Sequence, residues 1–276
     1  LYQQAIFAYQ QNNRLRTYEL QLNSINIYPY RDLYYRGLSQ INLEMANILA
    51  LQDRNSSVSA EAKQNIPPLI QQAITSGRNA TIVSPLTSVN WNNLSAIYRG
   101  LIGFGENADK FAIAATQQAI ALDPNNPSQY IELGGIYYQL GLYDEAIRQF
   151  QIAINLKNDY ANAYYNLGHA LVEKGNLEEA LNTYKTVQAL VVKDKNNSKK
   201  ITDEIKALEN KIKEQKILYK APTSASGSAS LMEENNKLPE RKPKMEIPGP
   251  TATITSTGKP EPTKTVTPTP IPTSSM

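Results

Sequence analysis

The amino-acid sequence predicts an all-α protein, a solenoid of stacked antiparallel helix hairpins followed by a capping helix and a disordered Pro/Thr-rich tail. Strand-type alternation is nearly absent from residues 1–220, where apolar residues recur at spacings of three and four. One short pattern returns along these residues at helical spacing. Ten of the 16 prolines lie from Pro222 onward, in a stretch rich in Thr, Ser and Lys, so residues 221–276 bury too little apolar surface to offset the entropy of ordering.

The repeated pattern is an aromatic residue followed by Leu at +3 and a small residue at +4. It occurs as Tyr35-Leu38-Ser39, Trp91-Leu94-Ser95, Tyr130-Leu133-Gly134 and Tyr164-Leu167-Gly168. Pairs of small residues seven apart accompany it: Ala73 and Ala80, Ala112 and Ala119, Ala146 and Ala153, with Thr17 and Ser24 before them and Ala180 and Val187 after them. The small residues allow two paired helices to approach closely. The predicted packing residues are therefore Tyr35, Leu38, Trp91, Leu94, Ala112, Ala119, Tyr130, Leu133, Gly134, Ala146, Ala153, Tyr164, Leu167, Gly168 and Ala180.

The grid divides residues 1–195 into five hairpins, at about 1–31, 32–87, 88–126, 127–160 and 161–194. Pro29, Pro85, Pro124 and Asn158 stand six residues before the four aromatics and end each hairpin. Gly141 and Gly175 supply turns, and the acidic pairs that follow them favour a helix start. The second and third hairpins each carry extra residues at the turn between their two helices. In the second hairpin the extra residues are 50–66, and we expect them to form an extended first helix or a protruding loop.

The fourth hairpin carries a repeat of known type. Tyr130-x2-Leu-Gly-x2-Tyr137 with Ala146-x3-Phe150-x2-Ala153, and the 34 residues from Tyr130 to Tyr164, resemble the tetratricopeptide repeat. The resemblance covers roughly residues 1–190 and implies a helical solenoid used for protein binding. Gly77 in place of a bulky aromatic and Leu171 in place of a Tyr depart from the pattern.

The end of the chain divides into two segments. Ile201, Ile205, Leu208 and Ile212 form a narrow apolar stripe among Lys and Glu, which predicts a capping helix over 196–220, because a solenoid needs a polar-faced end. A coiled-coil helix is the alternative. For 221–276 the alternative to plain disorder is a spacer or a Pro-rich ligand of another domain.

The composition excludes several function classes. The formal net charge is +3, which gives no broad basic field for nucleic acid. The chain has no Cys and one His, which removes thiolate and His-cluster metal sites and cysteine nucleophiles. No apolar run approaches the roughly 20 residues of a membrane span. Gly103-Phe-Gly105 lacks the third glycine of a dinucleotide loop. We therefore expect no cofactor, no metal and no enzyme activity in this segment.

The predicted partner-binding surface is the concave groove lined by the first helix of each hairpin. Its exposed positions are Asn92, Ala96, Ile131, Gly135, Tyr138, Asn162, Tyr165, His169 and Val172, and we call these nine the groove residues. They are aromatic and polar with almost no charge, which favours a peptide or protein partner bound by Tyr stacking and amide hydrogen bonds. Packing against the rest of a longer chain is the alternative. Related repeats that grip a terminal carboxylate carry Lys, Arg and Asn where this chain has Ile131, Gly135 and Asn162, so a carboxylate clamp is not expected.

A second resemblance concerns the region before the fourth hairpin. The run Pro29-Tyr-Arg31-Asp32-x-Tyr34-Tyr35-Arg36-x-Leu38-Ser39-Gln40 and the later Trp91-x2-Leu94-x3-Tyr98-Arg99 are similar to the soluble C-terminal part of bacterial membrane proteins of the O-antigen ligase or polymerase type. That resemblance implies a fragment of an envelope protein, tethered through membrane helices before Leu1 and lying on the extracytoplasmic side, with glycan chemistry elsewhere. The alternative is a free-standing cytoplasmic adaptor.

Overall fold

A computed structural model describes residues 1–54 and 64–220. These residues form eleven α-helices and no β-strand, in two compact units, 1–124 and 125–220. None of the helices in the described ranges is both long and apolar enough to cross a membrane. The predicted disordered tail, 221–276, and most of the predicted insertion, 55–63, lie outside the described residues.

Unit 1 contains three helix pairs. They are α1 Tyr2–Gln10 with α2 Arg14–Ile27, α3 Asp32–Arg54 with α4 Ile66–Val83, and α5 Ser88–Gly100 with α6 Ala108–Leu122. The two helices of each pair pack against one another, and α2 and α4 also contact the first helix of the following pair. The all-helical hairpin architecture predicted from the repeat grid is confirmed.

The ends of the unit 1 helices follow from local chemistry. Asn13 begins α2, where its side-chain oxygen accepts a hydrogen bond from the Arg16 backbone N–H at 3.1 Å. The two prolines that follow the insertion lie in the first turn of α4, where the missing N–H costs nothing. The helix before the insertion, α3, has 23 residues against 13 in α5. The sequence predicts that segment 50–66 forms either an extension of the first helix or a protruding loop. Residues 50–54, the beginning of this segment, extend α3.

Unit 2 contains two helix pairs and one long final helix. The pairs are α7 Pro127–Gln139 with α8 Tyr143–Leu156, and α9 Ala161–Lys174 with α10 Leu177–Leu190; the final helix is α11 Lys195–Lys220. Both tight turns use glycine in the left-handed region, at Gly141 with φ 76° and at Gly175 with φ 90°. The acidic pairs lie in the first turns of α8 and α10, so their predicted role as helix-start residues is confirmed.

In three of the repeats the small residue faces the second helix of its own hairpin. A Cβ atom on Gly134 would lie 2.5 Å from Phe150 Cε1, and one on Gly168 would meet the Tyr184 ring in the same way. In the third hairpin the corresponding pair is Ser95 and Thr116, whose buried hydroxyls are 2.6 Å apart. The close approach inferred from the spacing is thus present in three consecutive hairpins.

Burial follows the grid with two exceptions. The predicted packing residues that are buried are Tyr35, Leu38, Trp91, Leu94, Ala112, Ala119, Leu133, Gly134, Ala146, Ala153, Leu167, Gly168 and Ala180. Tyr130 and Tyr164 are half-buried. Gly77, which departs from the pattern, lies against α5: a Cβ there would stand 2.9 Å from Ile97 Cδ1 and 3.3 Å from Leu94 Cδ1. An aromatic ring at position 77 would displace α5.

The final helix covers the last hairpin. Ile201, Ile205, Leu208 and Ile212 of α11 are buried in one core cluster with Val187 and neighbouring residues of α9 and α10. Polar contacts flank the apolar stripe, with the Gln188 amide donating to the Thr202 hydroxyl at 2.9 Å and Lys216 Nζ lying 2.7 Å from Glu178 Oε1. The predicted capping helix is confirmed.

Candidate functional site

The nine groove residues lie on three first helices. Asn92 and Ala96 are on α5 in unit 1, and the other seven are on α7 and α9 in unit 2. Ala96 and Asn162 are exposed, and the remaining seven are half-buried. Four of them, Ile131, Tyr138, Tyr165 and Val172, also pack against the core of unit 2. Their outward faces are what a partner would contact.

On α7, Tyr138 is the dominant groove side chain. Its ring lies 5.7 Å from that of Tyr143, the first residue of α8, at an interplanar angle of 62°. Burial raises the pKa of the Tyr138 phenol, and the nearby Glu173 carboxylate acts in the same direction, so the group stays protonated. Gly135 lies about one turn before Tyr138, and because it has no side chain it leaves space beside the Tyr138 ring.

On α9, Tyr165 and His169 are already in contact with the capping helix. The Tyr165 hydroxyl donates to Glu204 Oε1 at 2.8 Å, and Lys200 Nζ lies 4.8 Å from the centre of the Tyr165 ring. His169 Nε2 is 3.7 Å from Glu204 Oε2, a buried atom that has no hydrogen bond within the described residues. The Tyr165 and His169 rings meet edge to face at 4.5 Å. The end of the groove on α9 is therefore shared between solvent and α11.

The pKa shifts in this cluster come mainly from burial. Burial raises the pKa of Tyr165 and of Tyr184, and it lowers the pKa of His169 below its ordinary value of 6.5, although the Glu204 carboxylate opposes the last shift. His169 is thus held as the neutral imidazole at neutral pH. The aromatic and carboxyl groups that contact it within the described residues come from Tyr165, Tyr184 and Glu204.

The repeat spacing does not reveal the contributions of α11 to the site. Lys200 and Glu204 belong to the polar background of the apolar stripe, and nothing in their local sequence distinguishes them from the other lysines and glutamates of that helix. Their contacts with Tyr165 span 35 and 39 residues. Only the docking of α11 onto the last hairpin brings them to the groove.

A second polar cluster that the repeat spacing does not reveal lies in unit 1. The buried Asn90 amide donates to Asp32 Oδ2 at 2.8 Å and to the Ala80 carbonyl at 3.1 Å, while its oxygen accepts from Arg36 at 2.8 Å. The Trp91 indole N–H donates to the Pro85 carbonyl at 2.8 Å. These polar residues of unit 1 therefore join α3, α4 and α5, which is a packing role.

Among the residues that the structure describes, no group of three or more His, Asp or Glu side chains could hold a metal ion. Gly103, the start of the incomplete dinucleotide motif, lies in the turn between α5 and α6 with φ 94°. It follows a helix and not a strand, so the dinucleotide-binding arrangement is absent there.

The chain matches known tetratricopeptide repeats in unit 2. Residues 134–175 match the family model described as TPR repeat, and residues 161–190 match the one described as tetratricopeptide repeat. Over 73 residues the chain is 36% identical to small glutamine-rich tetratricopeptide repeat-containing protein 2 of Mycosarcoma maydis, covering 26% of this chain and 21% of that protein. The Saccharomyces cerevisiae protein of the same name is 27% identical over 122 residues, covering 44% of this chain and 35% of that protein. The chain thus spans about a fifth of the length of the first relative and about a third of the length of the second.

Solved structures show the same fold over a longer stretch. TTC0263, a thermophilic TPR protein of Thermus thermophilus, superposes with a TM-score of 0.52 at 17% identity, over 73% of this chain and 95% of that one. MamA superposes with a TM-score of 0.52 at 19% identity, over 68% of this chain and 95% of that one. Residues 134–190 thus match the tetratricopeptide repeat, and the described residues have the fold of a tetratricopeptide-repeat protein.

Proposed function

We propose that this chain is a non-catalytic protein-interaction scaffold that binds an extended segment of a partner protein along α7 and α9. The tetratricopeptide fold generally serves protein interaction, and its stacked first helices provide an extended binding surface. One observation carries the proposal for this chain. Tyr138 and Asn162 stand on the adjacent first helices of two consecutive repeats, with Asn162 exposed and Tyr138 half-exposed beside the space left at Gly135.

The chemistry of these positions suits a peptide backbone. A tyrosine ring offers a large, rigid contact area with a hydroxyl at its edge, and an asparagine amide both donates to and accepts from a peptide group. The groove residues on α7 and α9 include no Lys, Arg, Asp or Glu. We therefore expect binding that depends weakly on salt along this part of the surface.

The test begins with a library of random peptides displayed on phage and selected against the whole chain. A selected peptide is then titrated by calorimetry against the chain and against Tyr138→Ala and Asn162→Ala. Tyr138→Ala should weaken binding by about tenfold, because a central aromatic side chain typically contributes about 1–2 kcal/mol to the binding free energy. Gln151→Ala, an exposed change on α8, is the matched control and should bind normally. Equal affinity of the selected peptides for the unaltered chain and all three variants would show that the groove is not the binding surface.

A more specific setting is the soluble accessory region of a membrane-bound glycan ligase or polymerase of the O-antigen type, on the extracytoplasmic side of a bacterial envelope. The run from Pro29 to Gln40 and the Trp91 region support it by resemblance. Reading the gene upstream of the Leu1 codon tests it. Several apolar stretches of about 20 residues would support an anchored envelope protein, and a start codon with no such stretch would favour a free-standing cytoplasmic adaptor.

A further inference from the structure

We propose that a cavity between α9, the end of α10 and the start of α11 binds the anchor of a peptide partner, namely an aliphatic side chain flanked by acidic side chains. The inference rests on the proposed function, because it assigns a chemical class to the peptide that reaches the α11 end of the groove. We call this space the cap cavity.

The cap cavity has the size and walls of a binding pocket. Its volume is about 450 Å³, within the range of roughly 300–1,000 Å³ that is usual for ligand sites. Its apolar walls come from Ala161 on α9, Val187 and Val191 at the end of α10, and Ile201 on α11. Such walls favour an aliphatic side chain by removing its surface from water.

The lining of the cap cavity also includes polar groups. They include the side-chain amides of Asn162 and Asn197 and the ammonium group of Lys200. Asn197 already donates to Asp194 Oδ2 at 2.7 Å, and Asn162 accepts from Asn166 at 3.0 Å. Among the described residues that line the cavity, Lys200 alone is charged. An acidic group beside the aliphatic side chain would therefore meet a positive charge.

The segments that supply the walls are themselves rich in lysine. These two segments, 157–165 and 187–201, contain five lysines and two aspartates. One of the aspartates, Asp194, is occupied at the start of α11, where it accepts from the backbone N–H groups of Asn196 and Asn197 at 3.0 and 3.1 Å. The other, Asp159, precedes α9. The lysines therefore outnumber the aspartates in these two segments.

The arrangement of the lysines favours acidic side chains over a single terminal carboxylate. Lys200 Nζ lies 4.8 Å from the centre of the Tyr165 ring, and Lys157 Nζ lies 5.0 Å from the centre of the Tyr160 ring; both rings line the cavity. Charges separated in this way match acids spaced along a segment, whereas a terminal carboxylate needs donors that converge on one point. The Glu204 carboxylate, one turn beyond Lys200, is directed at Tyr165 and His169 and does not line the cavity.

The test uses a defined probe, the fluorescein-labelled peptide Ser-Glu-Glu-Leu-Glu-Ser with an amidated C terminus, and measures its anisotropy with the whole chain. Three companion peptides separate the contributions: Gln in place of every Glu, Ala in place of Leu, and a Ser-Gly-Ser-Leu peptide that has no charged side chain but has a free C-terminal carboxylate. The acidic peptide should bind most tightly and lose affinity as salt rises. Replacing Leu with Ala should weaken it by about tenfold or more.

Two variants and one control locate the binding. Lys200→Ala should weaken the acidic peptide by about twofold to fivefold, as for a partly exposed ion pair, and it should not change the affinity of the Gln peptide. Lys206→Ala, an exposed change of equal charge on the same helix, should leave both affinities unchanged. Ala161→Leu adds volume to the cavity wall and should weaken every Leu-containing peptide. Circular dichroism and the unfolding midpoint show whether each variant is folded.

Several outcomes would overturn the inference. Equal binding of the Glu and Gln peptides, or equal effects of Lys200→Ala and Lys206→Ala, would remove the acidic anchor. Preference for the free C-terminal peptide would replace side-chain recognition with carboxylate-end recognition. The proposed function is judged separately: phage-selected peptides that depend on Tyr138 but are indifferent to Lys200 and Ala161 would leave the groove in place and remove only the cap cavity.

Discussion

The backbone of Gly134 lies against the ring of Phe150, so closely that a Cβ atom on residue 134 would stand 2.5 Å from Phe150 Cε1 and 2.8 Å from its Cδ1. Phe150 is 1% exposed and belongs to the core cluster of unit 2. The pair fixes the distance between α7 and α8. The same relationship holds between Gly168 and Tyr184 in the next hairpin, so a glycine on the first helix and an aromatic ring on the second act as one packing unit.

Gly134→Ala tests this unit. Alanine favours a helix over glycine by about 1 kcal/mol, but the added methyl group must displace a buried ring. Overpacking typically costs about 1–3 kcal/mol, and we expect a net loss of about 1–2 kcal/mol in the free energy of unfolding, measured by urea denaturation. Gly100→Ala is the control, because nothing lies within 4 Å of a Cβ there. Equal stability changes for the two variants would show that Phe150 can move aside.

The third hairpin replaces the glycine–aromatic unit by a hydroxyl pair. Ser95 and Thr116 are both fully buried, and the Thr116 hydroxyl also donates to the Ala112 carbonyl at 2.9 Å. Thr116→Val should cost about 1 kcal/mol, because it leaves the Ser95 hydroxyl with only the Ala112 carbonyl at 3.2 Å. Removing both hydroxyls, with Ser95→Ala added, should cost less than the sum of the single changes. Urea denaturation of the four proteins of this cycle measures the coupling, and strict additivity would contradict it.

The sequence was sufficient to predict the hairpins because their determinants are local and repeated. The Leu at +3 and the small residue at +4 share one helix face, and Gly134 meets the aromatic of its own hairpin only 16 residues away. The apolar stripe from Ile201 to Ile212 likewise identified the side of α11 that is buried. Periodicity alone could therefore assign which faces pack.

The part of the site that periodicity could not predict depends on contacts between distant polar residues. Lys200 and Glu204 reach Tyr165 only after α11 docks, and Asn90 meets Arg36 across 54 positions. None of these side chains belongs to an apolar repeat, so no period marks them. For the same reason the groove residues on α9 were expected to face a free concave surface, whereas part of that surface contacts α11.

Docking of α11 can be tested at Ile205, which is 7% exposed in the core cluster of unit 2. Ile205→Ala removes three carbon atoms from a buried site and should lower the free energy of unfolding by about 2–4 kcal/mol. Amide hydrogen exchange should accelerate most in α11, because that helix depends on this stripe for its contact with α10. Lys206→Ala, the adjacent exposed position, should change stability by less than about 0.5 kcal/mol. If α11 exchanged no faster in Ile205→Ala than in Lys206→Ala, the stripe would not be what holds it.

The remaining prediction concerns pH and His169, the only histidine of the chain. Burial lowers its pKa in the folded protein below 6.5, so the unfolded chain binds more protons than the folded one in the window between the lowered value and 6.5. Stability must then fall as the pH decreases through that window, because protons favour the state that binds more of them. Nuclear magnetic resonance of the imidazole Cε1–H should show a titration midpoint below 6.5 in the folded protein.

His169→Gln separates this effect from the titration of carboxylates, which both proteins share. Between about pH 7 and pH 5 the unfolding midpoint in urea should decline less steeply for the variant than for the unaltered chain, with the difference confined to the acidic side of the ordinary histidine pKa. The Glu204 carboxylate 3.7 Å away limits the effect, since it favours the charged imidazole. Parallel pH profiles for the two proteins, or an imidazole midpoint at or above 6.5, would mean that attraction by Glu204 outweighs burial between α9 and α11.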